Sequence, residues 1–300
     1  MINEENNSRC GFVAIVGRPN VGKSTLLNRL VGQKISITSR KPQTTRHSIL
    51  GIRTEGLIQT VYVDTPGLHV DAKRELNRQL NKSASSALAD VDVIIFVVDS
   101  LKWTEDDQLV LGKLKNVSCP VILALNKIDI IGNKERLLPK LAEMNELFPF
   151  ATCIPISAKK NKQIDTLQKE VERHLPEGPH FFAEDQVTDR SVKFLVAEII
   201  REKLFRILGQ EIPYAIAVQI ESYREENSIT HIHAIIWVEK ESQKAIVIGK
   251  GGLNLKNVGQ QARHDMETNL ESQVNLKLWV KVREHWADDQ LALRDLGYES

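Results

Sequence analysis

Cysteine is nearly absent from this 300-residue chain, and the three present, Cys10, Cys119 and Cys153, are odd in number and far apart. No CxxC pair occurs, so a disulfide framework is excluded and a reducing compartment with incidental thiols is expected. Long apolar runs are missing too. The longest, Val93 to Val98 and Pro120 to Leu125, fall well short of the ~20 residues that span a bilayer. The N-terminus, Met1-Ile-Asn-Glu-Glu-Asn-Asn, is polar and acidic, unlike a signal peptide. An excess of either charge is lacking: Lys+Arg 40 against Asp+Glu 39 leaves +1. Any basic surface must therefore be local, and global charge decides nothing about nucleic acid. Internal repeats and low-complexity tracts are absent as well. The expectation is a cytoplasmic, monomeric protein with no transmembrane segment, compatible with peripheral contact at the inner face of the cell membrane.

What is present is an alternation. Phe12–Val16, Ile58–Val63, Val93–Val98, Val121–Leu125 and Cys153–Ile156 read as strands, continuous apolar runs of the kind buried on both faces of a parallel sheet. Between them Gly22–Leu30, Leu76–Leu88, Asp106–Leu114, Lys134–Leu147 and Ile164–His174 read as helices, which predicts an α/β fold with a mixed, mostly parallel sheet. Gly51–Arg53 and Ile58–Val63 form the one expected antiparallel hairpin. Two prolines, a glycine and acidic residues around Leu175 to Asp185 interrupt the pattern. Since a single core stops growing near ~250 residues, two domains are expected: 1–175, a linker at 176–190, and 191–300.

The second segment reads as a smaller α+β domain in the order α-β-β-α-α-β. Its first helix carries a stripe of Val192, Val196, Ile200, Leu204 and Leu208, closed by Gly209. Strands are expected at Tyr214–Ile220, Ile229–Val238 and Val274–Val282.

The chemistry begins at Gly17-Arg18-Pro19-Asn20-Val21-Gly22-Lys23-Ser24-Thr25. This GxxxxGK[ST] loop follows a strand and opens a helix, the context in which backbone N–H groups cradle phosphates. Lys23 adds charge at the β and γ groups, and Ser24 can ligate Mg²⁺. Asn126-Lys127-Ile128-Asp129 closes a later strand. An ionised Asp129 accepts hydrogens from N1 and the exocyclic amine of guanine, whereas adenine offers N1 a lone pair and is rejected. Asp64-Thr65-Pro66-Gly67 ends another strand, where the carboxylate can hold Mg²⁺ through water and the Gly67 amide can sense a γ-phosphate. Ser157-Ala158-Lys159 follows the last strand and can support the guanine ring. The aperiodic polar stretch Ile37 to His47 reads as a switch loop, with Thr45 the chosen second Mg²⁺ ligand and Thr44 its competitor. Lys23, Thr45 and Gly67 are the expected catalytic groups for GTP hydrolysis.

In the second domain Ile248-Gly249-Lys250-Gly251-Gly252 lies between two helices. A helix, GxxG turn, helix core is that of a KH domain, whose glycines admit a sugar-phosphate strand and clamp about four unpaired nucleotides. The strands precede the turn, as in the prokaryotic type II arrangement. On the last strand Leu276, Leu278, Val280 and Val282 face one way, while Lys277, Trp279, Lys281 and Arg283 face the other. Lys277 and Lys281 join Gly249, Lys250, Gly251 and Gly252 as the candidate RNA contacts. His231 and His233 share a strand face without a third ligand and read as structural; Trp237, on their face, is expected to pack against helices. Arg201, Lys203 and Arg206 read as a solvated helix face, with RNA phosphates or anionic lipid as the alternatives.

Taken together, GRPNVGKST at 17–25, KPQTTRH at 41–47, DTPG at 64–67, NKID at 126–129, SAKK at 157–160, REKLFRILGQEIPY at 201–214 and VIGKGG at 247–252 resemble the Era family of translation-factor-class GTPases, over nearly the whole chain. The resemblance implies a GTPase that binds the single-stranded 3′ end of small-subunit ribosomal RNA and acts on a 30S-type precursor particle. Leu68 stands where Ras-like GTPases carry the water-orienting glutamine, so slow unaided turnover is expected. An asparagine at the position of Asn20 helps related GTPases bind K⁺; shaping its own loop is the alternative role. GTP is expected to order the loop around Thr45 and the segment after Asp64, changing domain docking and exposing Gly249–Gly252. A signalling GTPase acting on cell-cycle or membrane events through protein partners is the rival reading. A nucleophilic cysteine motif, flavin fingerprint or methyl-donor loop is lacking, so covalent RNA modification has no support.

Overall fold

The computed structural model describes residues 8–38, 49–64, 90–132, 135, 137–208, 216–284 and 286. The chain divides into two compact units, with the main division in sequence between Asp189 and Arg190.

In the first unit the order is β1 (Arg9–Val16), α1 (Lys23–Val31), β2 (Ile49–Glu55), β3 (Ile58–Asp64), β4 (Val93–Asp99), α2 (Glu105–Leu114), β5 (Val121–Asn126), α3 (Leu137–Leu147), β6 (Thr152–Pro155) and α4 (Ile164–Arg173). The six strands form one sheet ordered β2-β3-β1-β4-β5-β6, and only β2 and β3 run antiparallel. All seven residues of β4 are buried, as a continuous Val-Ile-Ile-Phe-Val-Val run between two helical layers should be. On one face Val98 and Leu123 pack with Val110, Leu111 and Leu114 of α2 and with Met144 of α3. Thr104 and Asp107 make a capping box at the start of α2, whose first turn is wholly acidic, so both orphan amides and the helix dipole are satisfied locally. A helix is described over Leu137–Leu147, with Pro139 in its first turn, where a missing N–H is harmless; Lys134, its expected start, lies outside the described residues. The helix expected at Leu76–Leu88 lies outside the described residues.

The segment read as a linker is fastened to this unit. The Cys10 amide donates to Pro176 O at 3.1 Å, Gly178 N to Ser8 O at 2.9 Å, and Ile52 N to Val187 O at 2.9 Å. Leu50 N donates to Asp189 Oδ1 at 3.0 Å. The clip at the centre is Gln59, fully buried on β3. Its Oε1 accepts from the Phe181 and Phe182 amides at 2.8 and 2.9 Å, while its Nε2 donates to Phe182 O and Thr54 Oγ1, each at 2.9 Å. Phe181 stacks on Phe12 at 5.4 Å. Residues 176–189 are thus a strap along β1, β2 and β3.

The second unit runs α5 (Val192–Ile207), β7 (Ile216–Glu226), β8 (Ile229–Val238), α6 (Glu241–Ile248), α7 (Leu253–Leu270) and β9 (Gln273–Val282). Its sheet is ordered β7-β8-β9, antiparallel between β7 and β8 and parallel between β8 and β9, with a bulge between Ile220 and Ser222. Val196, Ile200 and Leu204 of α5, Val247 of α6, and Val258, Ala262 and Met266 of α7 all pack on Ile232, Ala234, Ile236 and Val238, so every helix lies on one sheet face. Two expectations are corrected. Val192 is exposed, so the α5 stripe begins at Val196. The supposed solvated basic face is ion-paired: buried Arg201 grips Glu198 through Nε and Nη2 at 2.6 and 2.7 Å, buried Lys203 meets Asp265 at 2.5 Å, and Arg206 binds Glu202. Arg201 and Lys203 are thus buried against carboxylates rather than solvated, while Arg206 stays exposed as the solvated-face reading expects. Gly209 lies outside the described residues, and β7 extends six residues past the predicted end at Ile220 because the bulge re-aims it.

Replacing Gln59 with Leu, close in volume but unable to bond, should leave the Phe181 and Phe182 amides unpaired and cost about 2 kcal/mol. Urea denaturation followed by fluorescence checks this, and an unchanged midpoint would refute the clip.

Candidate functional site

Every motif of the first unit sits at the carboxyl end of a strand, where open α/β sheets leave a crevice. After β1 the chain turns through Gly17, whose φ of 151° brings the backbone against β4; a Cβ there would lie 2.4 Å from Val97 O. Gly22, at φ 107°, caps α1. The first amides of α1 therefore face an open anion site. Lys23 is buried, and its Nζ donates to Gly17 O at 2.9 Å and Arg18 O at 3.0 Å. Burial pulls its pKa down to about 8; Asp64 and Asp107 raise it and Arg18 lowers it, without cancelling that effect. Pro19 and Thr25 are half-buried, Val21 is fully buried, and Asn20 is exposed at φ 65°.

Arg18 is held from beneath. Its Nε donates to Asp107 Oδ2 at 2.8 Å and its Nη2 to Lys102 O at 3.3 Å. Asp107 is fully buried, so the pair anchors the phosphate loop to the start of α2. Sequence reasoning missed Asp107; its one local signal is the capping box, which also explains its place.

The two metal candidates that are described come together. Ser24 Oγ donates to Asp64 Oδ2 at 3.1 Å, and Ser36 Oγ reaches the same oxygen at 3.0 Å. A hydroxyl and a buried carboxylate side by side are hard oxygen donors of the kind Mg²⁺ takes, so the residues fit the ion. Ser36 was missed because nothing local marks it. Thr44, Thr45, Thr65, Pro66, Gly67 and Leu68 lie outside the described residues.

At the other end Asn126 works as a clasp. Its Nδ2 donates to Val21 O at 2.8 Å, and its Oδ1 accepts from Ala158 N at 3.0 Å. Lys127 sits in the left-handed region at φ 68° and pairs with Asp99 Oδ2 at 2.8 Å. Burial pushes the Asp99 carboxyl up, yet hydrogen bonds from Lys127 and Leu101 N, with the charges of Lys127 and Arg18, hold it below its ordinary value. Asp129 follows on a short 3₁₀ turn, its Oδ1 fixed by Ser157 Oγ at 2.5 Å. Ser157 in turn accepts from Lys160 N at 3.1 Å, and Arg29 Nε donates to Ala158 O at 3.2 Å, leaving Lys159 exposed beside them. The arrangement presents one oriented carboxylate to a base.

In the second unit Gly249 ends α6, and Gly251 at φ 60° opens onto empty space with exposed Lys250 next to it. Asn254 Nδ2 donates to Ile246 O at 2.9 Å and pins the turn from behind. Gly252 caps α7. Lys277 and Lys281 are exposed, but on the sheet face away from the helices, so the predicted RNA set splits between two sides. Trp237 corrects an expectation: it lies on that outer face, its Nε1 donating to Gln219 Oε1 at 2.9 Å, because the even-numbered residues of β8 take the helix side. His231 meets Asn275, and His233 meets the Trp279 ring edge-on. Among the described residues no group of three His, Cys, Asp or Glu could hold a metal ion, and no helix is long and apolar enough to cross a membrane.

A family model described as a 50S ribosome-binding GTPase matches residues 12–127, and a KH domain model matches residues 211–287. GTPase Era of Ectopseudomonas mendocina is 59% identical over 291 residues, 97% of each chain. GTPase Era of Pseudomonas aeruginosa is 58% identical over 291 residues, covering 97% of this chain and 95% of that protein. Among solved structures, a variant of Aquifex aeolicus Era bound to GDP·AlF4⁻ superposes with a TM-score of 0.93 at 39% identity, over 97% of this chain and 100% of that one. Era in complex with MgGDPNP and nucleotides 1506–1542 of 16S ribosomal RNA gives 0.93 at 38%, over 98% and 100%.

The lowered pKa of Lys23 has a measurable consequence. A polyphosphate stabilises the ammonium form, so nucleotide affinity should be full below the free protein's pKa of about 8 and weaken as pH rises above it, by up to about tenfold per unit. Fluorescent-GDP titration through this range tests it; flat affinity would show that Lys23 stays charged throughout.

Proposed function

The chain belongs to the Era family of GTPases and hydrolyses GTP; on that premise we propose that it holds the single-stranded 3′ end of small-subunit ribosomal RNA during assembly of that subunit, under control of the nucleotide. One observation carries the reading: the open turn at Gly249–Gly252, pinned by Asn254, stands in the same chain as an oriented guanine acceptor at Asp129. An Era that is 38% identical binds MgGDPNP and 16S ribosomal RNA together, which supports it.

We assign residues 1–175 to the nucleotide, 176–190 to the connection and 191–300 to the RNA. The amides of Gly17 to Thr25 bind the phosphates, with Lys23 as their buried cation. Asn126 and Ala158 hold the base loop in register, Lys127 contributes to the guanine subsite from the same loop, and Asp129 reads the N1 and amine edge of the base. Ser157 and Lys159 complete that loop. Ser24, Asp64 and Thr45 would hold Mg²⁺, which supplies charge neutralisation at the β and γ oxygens. The Gly67 amide senses the γ-phosphate, and Leu68 cannot orient water, which leaves unaided turnover slow. Asn20, exposed at the lip of the loop, is the candidate K⁺ contact. A cytoplasmic monomer with peripheral membrane contact remains part of this reading, although burial of Arg201 and Lys203 withdraws two of the three cations considered for lipid.

Gly251→Asp should abolish RNA binding and leave GTP affinity within about twofold, because the turn needs positive φ and an uncharged approach. A filter-binding titration in which mutant and wild type hold RNA equally would refute the clamp. GTP turnover should be faster in K⁺ than in Na⁺ at equal ionic strength; identical rates would remove Asn20 from the site.

A further inference from the structure

The outer face of the second unit's sheet carries Lys277 and Lys281, the two candidate RNA contacts that lie apart from the Gly249–Gly252 turn. Ile232, Ala234, Ile236 and Val238 of β8 point into the core with the helices. The intervening residues point outward, and strand register sets them beside one another: His233 against Lys277, Ile235 against Trp279, Trp237 against Lys281. On the other flank Gln219 pairs with Ile235 and Ser222 with His233. Two indoles therefore lie over one patch.

The details resemble a prepared surface rather than a random exposed strand. Trp237 is fixed by its hydrogen bond to Gln219, with Lys281 Nζ 5.9 Å from its ring centroid. Trp279 is 40% exposed and is held on edge by His233 at 5.2 Å. Neither β8 nor β9 contains an acidic residue. Of the carboxylates on the sheet's own strands, Glu221, Glu225 and Glu226 belong to β7, the opposite edge. Among the described residues no ion-pair partner is found for Lys277 or Lys281. An exposed indole at Trp279, with Trp237 half-buried beside it and two lysines on the same face, suits a strand of stacked bases and phosphates.

Position supplies the connection. β9 is an edge strand, and α6 and α7, which flank the Gly249–Gly252 turn, both pack against it from inside. We propose that the outer face formed by Trp279, Trp237, Lys277 and Lys281 is a second single-stranded RNA surface, a stacking platform that takes the nucleotides next to those clamped at Gly249–Gly252. It rests on the RNA reading above and extends it from one side of the unit to the other.

The test uses the full chain loaded with a non-hydrolysable GTP analogue and two labelled single strands from the 3′ end of small-subunit ribosomal RNA. One, of about 5 nucleotides, matches the clamp alone; the other, of about 12, is long enough for both surfaces. Trp279→Ala should bind the longer strand about tenfold more weakly and the shorter one as wild type does, while Trp279→Phe restores most of the loss. Lys277→Gln with Lys281→Gln should lower the salt slope for the longer strand by about 1.4 and leave that for the shorter one unchanged. Equal affinity of wild type and Trp279→Ala for the longer strand overturns the platform and leaves the face to a protein partner. If wild type binds neither strand, or Gly251→Asp binds both as wild type does, the RNA reading itself fails. A loss in Trp279→Ala that is equal for both strands also overturns the platform, since it would mark a general disturbance of the fold.

Discussion

The nucleotide site depends on one buried side-chain amide. Asn126 donates to Val21 O, accepts from Ala158 N, and through its own carbonyl accepts from Ser100 N at 2.9 Å. Three loops from three strand ends are fixed by one residue. Gly22 passes so close that a Cβ there would lie 2.4 Å from the Asn126 Nδ2, which leaves no room for a shifted phosphate loop. A carboxamide is suited to this because it donates and accepts at once; an aspartate would face the Ala158 amide but have nothing to offer Val21 O. The distance between phosphate and base subsites is thus set inside the protein before nucleotide arrives.

Charge is arranged by the same logic. Arg18 is tied to Asp107, Lys127 to Asp99, and Lys23 is buried against the carbonyls of its own loop. Each cation is held by protein groups, so a nucleotide meets oriented charge and little reorganisation is required. The cost falls on the free protein, where burial draws Lys23 down towards neutrality.

The sequence made the phosphate loop, the base motif and the GxxG turn legible because each is a local backbone geometry written in glycines and flanking elements. Strand positions were equally readable, since buried parallel strands are continuous apolar runs. What stayed hidden is non-local. Asp107 lies 89 residues from Arg18, and Gln59 is more than 120 from the amides it holds. Arg201 and Lys203 looked like a solvated stripe because helical periodicity does not reveal Glu198 as a buried partner or Asp265 across the unit. Trp237 was misplaced for a different reason: on a strand that alternates His, Ile, Trp and Val, period two defines both faces but does not say which one the helices cover.

An edge strand is ordinarily a liability, and exposed lysines are a common protection against pairing with another chain. On β9 the same lysines bear indoles between and beside them, which protection does not require. Protection and recognition are compatible here because they use different parts of the strand: the backbone edge must stay unpaired, while the outward side chains stand perpendicular to it and remain available. A polyanion attracted to those side chains neutralises the repulsion without offering the backbone a partner strand. Edge protection and strand capture are then the same charges, and the two helices that flank the Gly249–Gly252 turn both pack on the inner side of the strand that carries them.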